Sequence, residues 1–294
     1  MESEIVLLDG GMGQELLRRG ASGDGTMWSG WALVEDLDAV AAVHRDFVAA
    51  GADVLTTNSY VLTRPRLEGY GMADRFVELN ELAGGVCRQV ADEADRSVRV
   101  AGSLPPQFAS YQVELPVDEN QLSEMYVEQA GVLAPYCHLM LAETLSSVAE
   151  CRAAVSGARS TGLPVWLGCT LADHGADTLR SGESLEDLLD GLSDQMPDAL
   201  LFNCTSPESI TTVMSRAESM FSVPVGGYGN GFTHIPDQWR IVDDASLPDA
   251  RVDLDPAAYS EHVSRWLEDG ASIVGGCCEI GPDHIAALRS LIDS

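Results

Sequence analysis

The feature that most constrains this chain is an alternation of short apolar runs with longer amphipathic stretches. Eight runs recur, at residues 5–8, 53–57, 98–102, 138–142, 165–169, 199–203, 223–226 and 272–275. They are apolar almost throughout, as strands covered on both faces are. Helical periodicity fills the intervals at residues 37–50, 72–94, 121–133, 145–158, 184–192, 207–220, 256–268 and 282–292. The last opens with Pro282 just inside its start, and Gly51 closes the first. Strand–helix alternation implies a parallel sheet with right-handed crossovers. Eight such units in 294 residues predict an α/β fold, a (β/α)8 TIM barrel, as a single domain over residues 1–294. A doubly wound open sheet would need a nucleotide fingerprint at its switch point. Asp9-Gly10-Gly11-Met12-Gly13 matches that fingerprint only in part, and no acidic ribose-binding residue follows at a second strand end. The proline- and aspartate-bearing stretch 228–256 is expected to be an excursion on one barrel face.

Composition then removes whole classes of function. Seventeen basic residues face 46 acidic ones, a net charge of −29, and every basic residue is arginine. Nucleic acid and anionic membrane surfaces are therefore not expected partners. Without lysine there is no Schiff-base enzyme and no P-loop lysine. An apolar fraction of 45% places the acidity on a folded chain rather than a disordered one. No apolar run reaches the ~18 residues that span a bilayer. The acidic start Met1-Glu2-Ser3-Glu4 lacks the features of a secretory signal, so a cytoplasmic protein is expected. The acidity also fits a saline or high-GC source.

A barrel builds its active site from the C-terminal ends of its strands. Those ends carry Asp9-Gly10-Gly11, Thr56-Thr57-Asn58-Ser59-Tyr60, Gly102-Ser103, Glu143-Thr144, Asn203-Cys204, Gly226-Gly227-Tyr228-Gly229-Asn230 and Gly276-Cys277-Cys278. Three of the seven cysteines converge on this mouth. Cys204, Cys277 and Cys278 can supply three corners of a zinc tetrahedron and leave the fourth for substrate. A redox-active vicinal pair and plain apolar packing are the other readings. Packing accounts well for Cys87, Cys137, Cys151 and Cys169. Three thiolates would make zinc a weak Lewis acid for water, yet able to hold a further thiol deprotonated. Alkyl transfer to a thiol is the chemistry that pattern implies. The histidines, His44, His174, His234, His262 and His284 among them, are expected at the surface without a role.

The ordered set of motifs resembles the homocysteine S-methyltransferase family. The likeness runs from Leu8-Asp9-Gly10-Gly11-Met12-Gly13-Gln14-Glu15 to Gly275-Gly276-Cys277-Cys278-Glu279. It passes through Met27-Trp28-Ser29, the strand-two motif, Gly102-Ser103, Ala142-Glu143-Thr144 and Asn203-Cys204. The resemblance implies a barrel enzyme with Zn2+ held by Cys204, Cys277 and Cys278. It implies that Glu143 takes the amino group of homocysteine. Asp9, Gly10 and Gly11 would lie near its carboxylate, with Thr57 close by. Asn58, Ser103, Asn203 and Asn230 complete the expected substrate contacts. Trp28 matches a tryptophan beside the methyl donor, where an aromatic face attracts an onium cation. S-methylmethionine is the expected donor, with betaine, S-adenosylmethionine and dimethylsulfoniopropionate as alternatives. Selenohomocysteine is the alternative acceptor, and a non-catalytic thiol- or metal-binding protein is the reading from another class. Val61 departs from the family, which in some members has a tyrosine at that point. No folate- or cobalamin-binding module is expected, and the acidic surface favours a small cationic donor over a polyanionic one.

Overall fold

The computed structural model describes residues 5–20, 27, 29–173, 177–235 and 248–294. Its eight strands are β1 (Val6–Leu7), β2 (Val54–Thr56), β3 (Arg99–Leu104), β4 (Leu139–Leu145), β5 (Val165–Cys169), β6 (Ala199–Asn203), β7 (Val225–Gly229) and β8 (Ile273–Gly276). All pair in parallel, in the order β1-β8-β7-β6-β5-β4-β3-β2. A parallel bridge between Leu8 and Val54 joins the two ends of the sheet and closes the barrel. The expected (β/α)8 TIM barrel is thus the fold.

Eleven α-helices occur among the described residues. They are α1 (Met12–Arg18), α2 (Gly30–Glu35), α3 (Leu37–Ala49), α4 (Arg64–Gly69), α5 (Phe76–Glu93), α6 (Glu119–Leu133), α7 (Val148–Arg159), α8 (Leu185–Gly191), α9 (Pro207–Met220), α10 (Pro256–Glu268) and α11 (Pro282–Ile292). Side chains of Asp36, Asp118, Ser147, Ser184, Ser206 and Asp255 cap α3, α6, α7, α8, α9 and α10. Each such cap is worth about 1 kcal/mol. None of these helices is long and apolar enough to cross a membrane.

Strand residues divide by parity between two cores. Leu8, Val54, Ala101, Leu141, Trp166, Leu201 and Ile273 fill the barrel interior. Leu7, Leu55, Val100, Met140, Leu167, Leu200 and Val274 join the larger core under the helices. Because both faces are buried, period-2 patterning disappears and the strands read as continuous apolar runs.

The strand positions follow the sequence reading, with local shifts. Strands β5 and β6 and helices α9, α10 and α11 span the expected residues. Strand β4 runs on to Leu145, where a helix was expected to begin, and its register shifts between Ala142 and Leu145. Strand β7 starts two residues late, after Pro224. There Gly226 lies so close to Ile273 that a Cβ would stand 1.9 Å from its carbonyl oxygen. The short helices α1, α2 and α4 were not expected; none has a side-chain cap to announce it. His44 is fully buried on α3 rather than at the surface, with both ring nitrogens unpaired and its pKa lowered to about 3 by burial.

Candidate active site

The C-terminal ends of the strands open onto one pocket. Asp9, Gly10, Gly11, Gln14, Ser29, Thr56, Thr57, Asn58, Ser103, Glu143, Tyr228 and all three mouth cysteines line it. The space it encloses together with its open mouth is about 720 Å³.

The cysteines are placed by unusual backbone. Cys204 follows β6 with φ 49°, and Glu279, just after Cys278, has φ 65°. Left-handed conformations cost a residue with a Cβ about 1–2 kcal/mol, so the surrounding bonds must enforce them. Cys204 N donates to the Tyr228 carbonyl, Cys277 N to Gly229, and Gly231 N to the Cys278 carbonyl, which ties the three loops together. Gly276 completes the arrangement, because a Cβ there would fall 2.2 Å from Ile280 Cγ2. As a result the three Sγ atoms lie within 4.8 Å of one another, with Cys204 and Cys278 3.9 Å apart. Tetrahedral sulfurs at Zn–S bonds of about 2.3 Å stand about 3.8 Å apart, so the cluster has the dimensions of a three-thiolate metal site. Cys204 and Cys278 are buried, and Cys277 is partly exposed.

The thiols do not share charge equally. The neighbouring Cys277 and Cys278 thiols, then the Tyr111 hydroxyl and the nearby Asn230 amide, hold the Cys204 thiol well below the ordinary range. Tyr111 Oη is 3.0 Å from Cys204 Sγ. Hydrogen bonding to Cys204 in turn pushes Cys277 and Cys278 well above it. One thiolate is easy and three are not, unless a cation balances them.

Glu143 stands on the last part of β4. Ser103 Oγ donates to its Oε1 at 2.5 Å and Tyr228 Oη to its Oε2 at 3.1 Å. Burial nevertheless raises its pKa to about 7. The next residue, Thr144, has φ 64° and is held by Asn203, whose Oδ1 accepts from Thr144 N and whose Nδ2 donates to Thr144 Oγ1, both at 2.8 Å. This clamp lets β4 turn the Glu143 carboxylate into the pocket. Asp9 is also buried, with its pKa raised to about 7 by desolvation. Its Oδ2 accepts from Thr56 N and its Oδ1 from Thr56 Oγ1.

Of the residues expected here, Asp9, Gly10, Gly11, Thr57, Asn58, Ser103, Glu143, Cys204, Cys277 and Cys278 line the pocket together. Thr57 bonds Ser59 Oγ and Ser103 N, and Asn58 Nδ2 donates to the Ser29 carbonyl. Asn203 and Asn230 are not among the lining residues. Asn203 serves Thr144, while Asn230 Oδ1 accepts from Phe232 N and its amide faces Cys204. Trp28 lies outside the described residues, as does His174. Sequence reasoning assigned no role to Tyr228, Tyr111 or Gln14. Tyr228 sits in a glycine-rich strand end that did point to the mouth. Tyr111 carried no signal, since it reaches Cys204 from 93 residues away.

A family model described as homocysteine S-methyltransferase matches residues 6–292. Among solved structures, the homocysteine methyltransferase MmuM from Escherichia coli in its metallated form is similar at 24% identity and TM-score 0.81, covering 99% of this chain and 97% of that one. Its oxidized form gives TM-score 0.82 at 24% identity, with 99% of this chain and 97% of that one covered. Its apo form gives 0.74 at 23% identity, with 98% and 96% covered.

Proposed function

Since the chain belongs to the homocysteine S-methyltransferase family, we propose that it is a zinc-dependent enzyme moving a methyl group from a small onium donor, S-methylmethionine first, to L-homocysteine. The product is methionine, and residues 1–294 act as one homocysteine-binding barrel unit. The observation that carries the zinc reading is the cluster of three Sγ atoms within 4.8 Å, opening on a pocket that also holds Glu143.

Cys204, Cys277 and Cys278 hold the metal. When bound, zinc supplies a cation that keeps a fourth thiol deprotonated near neutral pH. Glu143 takes the α-ammonium group. An ammonium offsets the desolvation that raises this carboxyl to about 7, and Ser103 and Tyr228 keep it aimed. Asp9, bound by Thr56, fixes the first loop to β2 and so sets the floor beneath Gly10 and Gly11. The homocysteine sulfur then attacks the donor methyl in line. A carbon–sulfur bond forms as the bond to the onium atom breaks. The leaving group is a neutral thioether or amine, so no general acid is required. Holding two substrates in register supplies much of the acceleration. Trp28, next to the pocket residue Ser29, is the proposed face for the donor cation.

The test is metal analysis of the purified protein, followed by methionine formation from homocysteine against S-methylmethionine, betaine, S-adenosylmethionine and dimethylsulfoniopropionate. One zinc per chain with S-methylmethionine as best donor is expected. Zinc-loaded protein that makes no methionine from any donor would falsify the assignment. Preference for another donor would overturn the S-methylmethionine reading alone.

A further inference from the structure

The pocket poses an electrostatic problem for its substrate. Among the described residues, every ionisable group that lines it is an acid, a thiol or a phenol, with no arginine or histidine, and the chain has no lysine. An amino acid brings a carboxylate into that setting, and what the described lining can offer it is neutral N–H or O–H donors. Most of the polar side chains there are already spent. Asp9 is bonded to Thr56, Asn58 to the Ser29 carbonyl, Thr57 to Ser59 and Ser103, and Ser103 and Tyr228 to Glu143. Even Gly11 N donates to the Ile280 carbonyl.

Gln14 differs from all of these. It stands on α1 at 2% exposure and lines the pocket, and neither its Nε2 nor its Oε1 has a hydrogen-bond partner. Among the described residues it is the one lining side chain with buried polar atoms left unpaired. Its carboxamide lies against the first loop, for a Cβ on Gly11 would be 3.3 Å from Gln14 Oε1 and 3.3 Å from Cys278 Cα. Buried polar groups are almost always paired, so an orphan carboxamide on a pocket-lining residue marks where a ligand can complete the pairing. A group with both ends unpaired suits a ligand that can accept and donate, as the head of an α-amino acid can.

We propose that Gln14 is a specificity-determining substrate contact, its Nε2 donating to the α-carboxylate of the acceptor thiol. This rests on the homocysteine reading above. Gln14 would make the site select an amino-acid thiol over a simple aminothiol.

Steady-state kinetics of the zinc-loaded full chain test it, comparing homocysteine with aminopropanethiol, which is homocysteine without its carboxylate. Gln14→Met keeps the side chain's length and removes both polar atoms. The expected result is a rise in KM for homocysteine of about tenfold or more, the size of a lost hydrogen bond to a charged group. KM for aminopropanethiol, kcat and the melting temperature should hold. Equal shifts for the two acceptors, no shift for either, or a shift in the donor's KM instead would each overturn the proposal. Should Gln14→Met fail to fold, Gln14→Glu keeps the shape but puts an oxygen where Nε2 stands. It should lose homocysteine still more severely, and retention of the wild-type KM would overturn the proposal. Wild-type protein that makes methionine while Gln14→Met matches it defeats this inference alone; wild-type protein that makes none defeats the functional reading first.

Discussion

Two places in the barrel bring buried thiols together beside a buried glutamate. At the mouth, Cys204 and Cys278 are 3.9 Å apart and Glu143 has its pKa raised to about 7. Beneath α7, Cys151 and Cys169 are 3.6 Å apart and Glu150 has its pKa raised to about 8. By sulfur separation and by the raised carboxyl beside it, the second place matches the first. Surroundings separate them. Cys151 and Cys169 sit on a regular helix and strand, fully buried in the apolar core. Glu150 is occupied locally, accepting from Ser146 N at 2.8 Å. At the mouth, Cys204 has left-handed backbone and Cys278 precedes the left-handed Glu279, a third sulfur joins them, and they face a pocket with the unpaired Gln14. Burial alone produces close thiols and perturbed acids. A site needs access and polar atoms left unspent as well.

Replacing the cysteines is the strongest way to break that comparison. Serine at Cys204, Cys277 or Cys278 should weaken zinc binding by at least about 100-fold, since even indirect changes around a metal cost up to that much. Methionine formation should fall with the metal. Alanine at Cys151 or Cys169 should leave zinc and turnover intact and cost about 1 kcal/mol of stability. Zinc content after dialysis against a chelator, methionine formation and urea unfolding read these out. Zinc retained in Cys277→Ser, or lost in Cys151→Ala, would erase the distinction.

The glutamates give the next largest effect. Glu143→Gln should raise KM for homocysteine by roughly tenfold to a hundredfold through loss of a charged partner, whereas Glu150→Gln should not change it. The pH dependence has a definite sign. Glu143 must be ionised to hold an ammonium, and it ionises near pH 7, so KM for homocysteine should climb as pH falls below that value. The component of the climb due to Glu143 should vanish in Glu143→Gln and persist in Glu150→Gln. An unchanged pH profile in Glu143→Gln would remove Glu143 from substrate binding.

The same contrast shows how much was legible in the sequence. Eight apolar runs disclosed the barrel because strands buried on both faces leave a continuous apolar signature. The mouth cysteines were legible because strand ends are where a barrel keeps its chemistry. Asn203 was the instructive case. Its strand-end position suggested substrate contact, but the left-handed turn at Thr144 consumes both ends of its amide. Backbone conformation of a residue with a Cβ leaves no trace in composition or spacing. Gln14 was hidden for a related reason: α1 is seven residues long and lacks a cap, so nothing showed that a helix would carry that side chain into the pocket. The buried His44 escaped because a histidine in an amphipathic helix reads the same on either face.

The smallest expected effect concerns stability and separates the two glutamates once more. Burial raises Asp9 and Glu143 to about 7 and Glu150 to about 8, from ordinary values of 3.8 and 4.5. A carboxyl whose pKa is raised on folding contributes stability below its unfolded pKa and loses it as pH rises through the folded value. The three carboxyls should therefore lower the melting temperature of the apoprotein between about pH 5 and pH 8, against the opposite pull of His44 and Cys204, whose pKa values folding lowers. Homocysteine should restore the share of Glu143, because its ammonium pairs with the ionised carboxylate. It cannot reach Glu150, which is 1% exposed. Glu150→Gln keeps an oxygen for Ser146 N and removes the ionisation, so it should raise the melting temperature near pH 8 by a few degrees, each kcal/mol being worth about 2–4 °C in a chain of this size. Calorimetry across pH, with and without homocysteine, decides it. A Glu150→Gln protein that melts no higher than the wild type near pH 8, or a ligand effect that disappears in Glu150→Gln, would mean that the two carboxylates are not divided by access as the fold divides them.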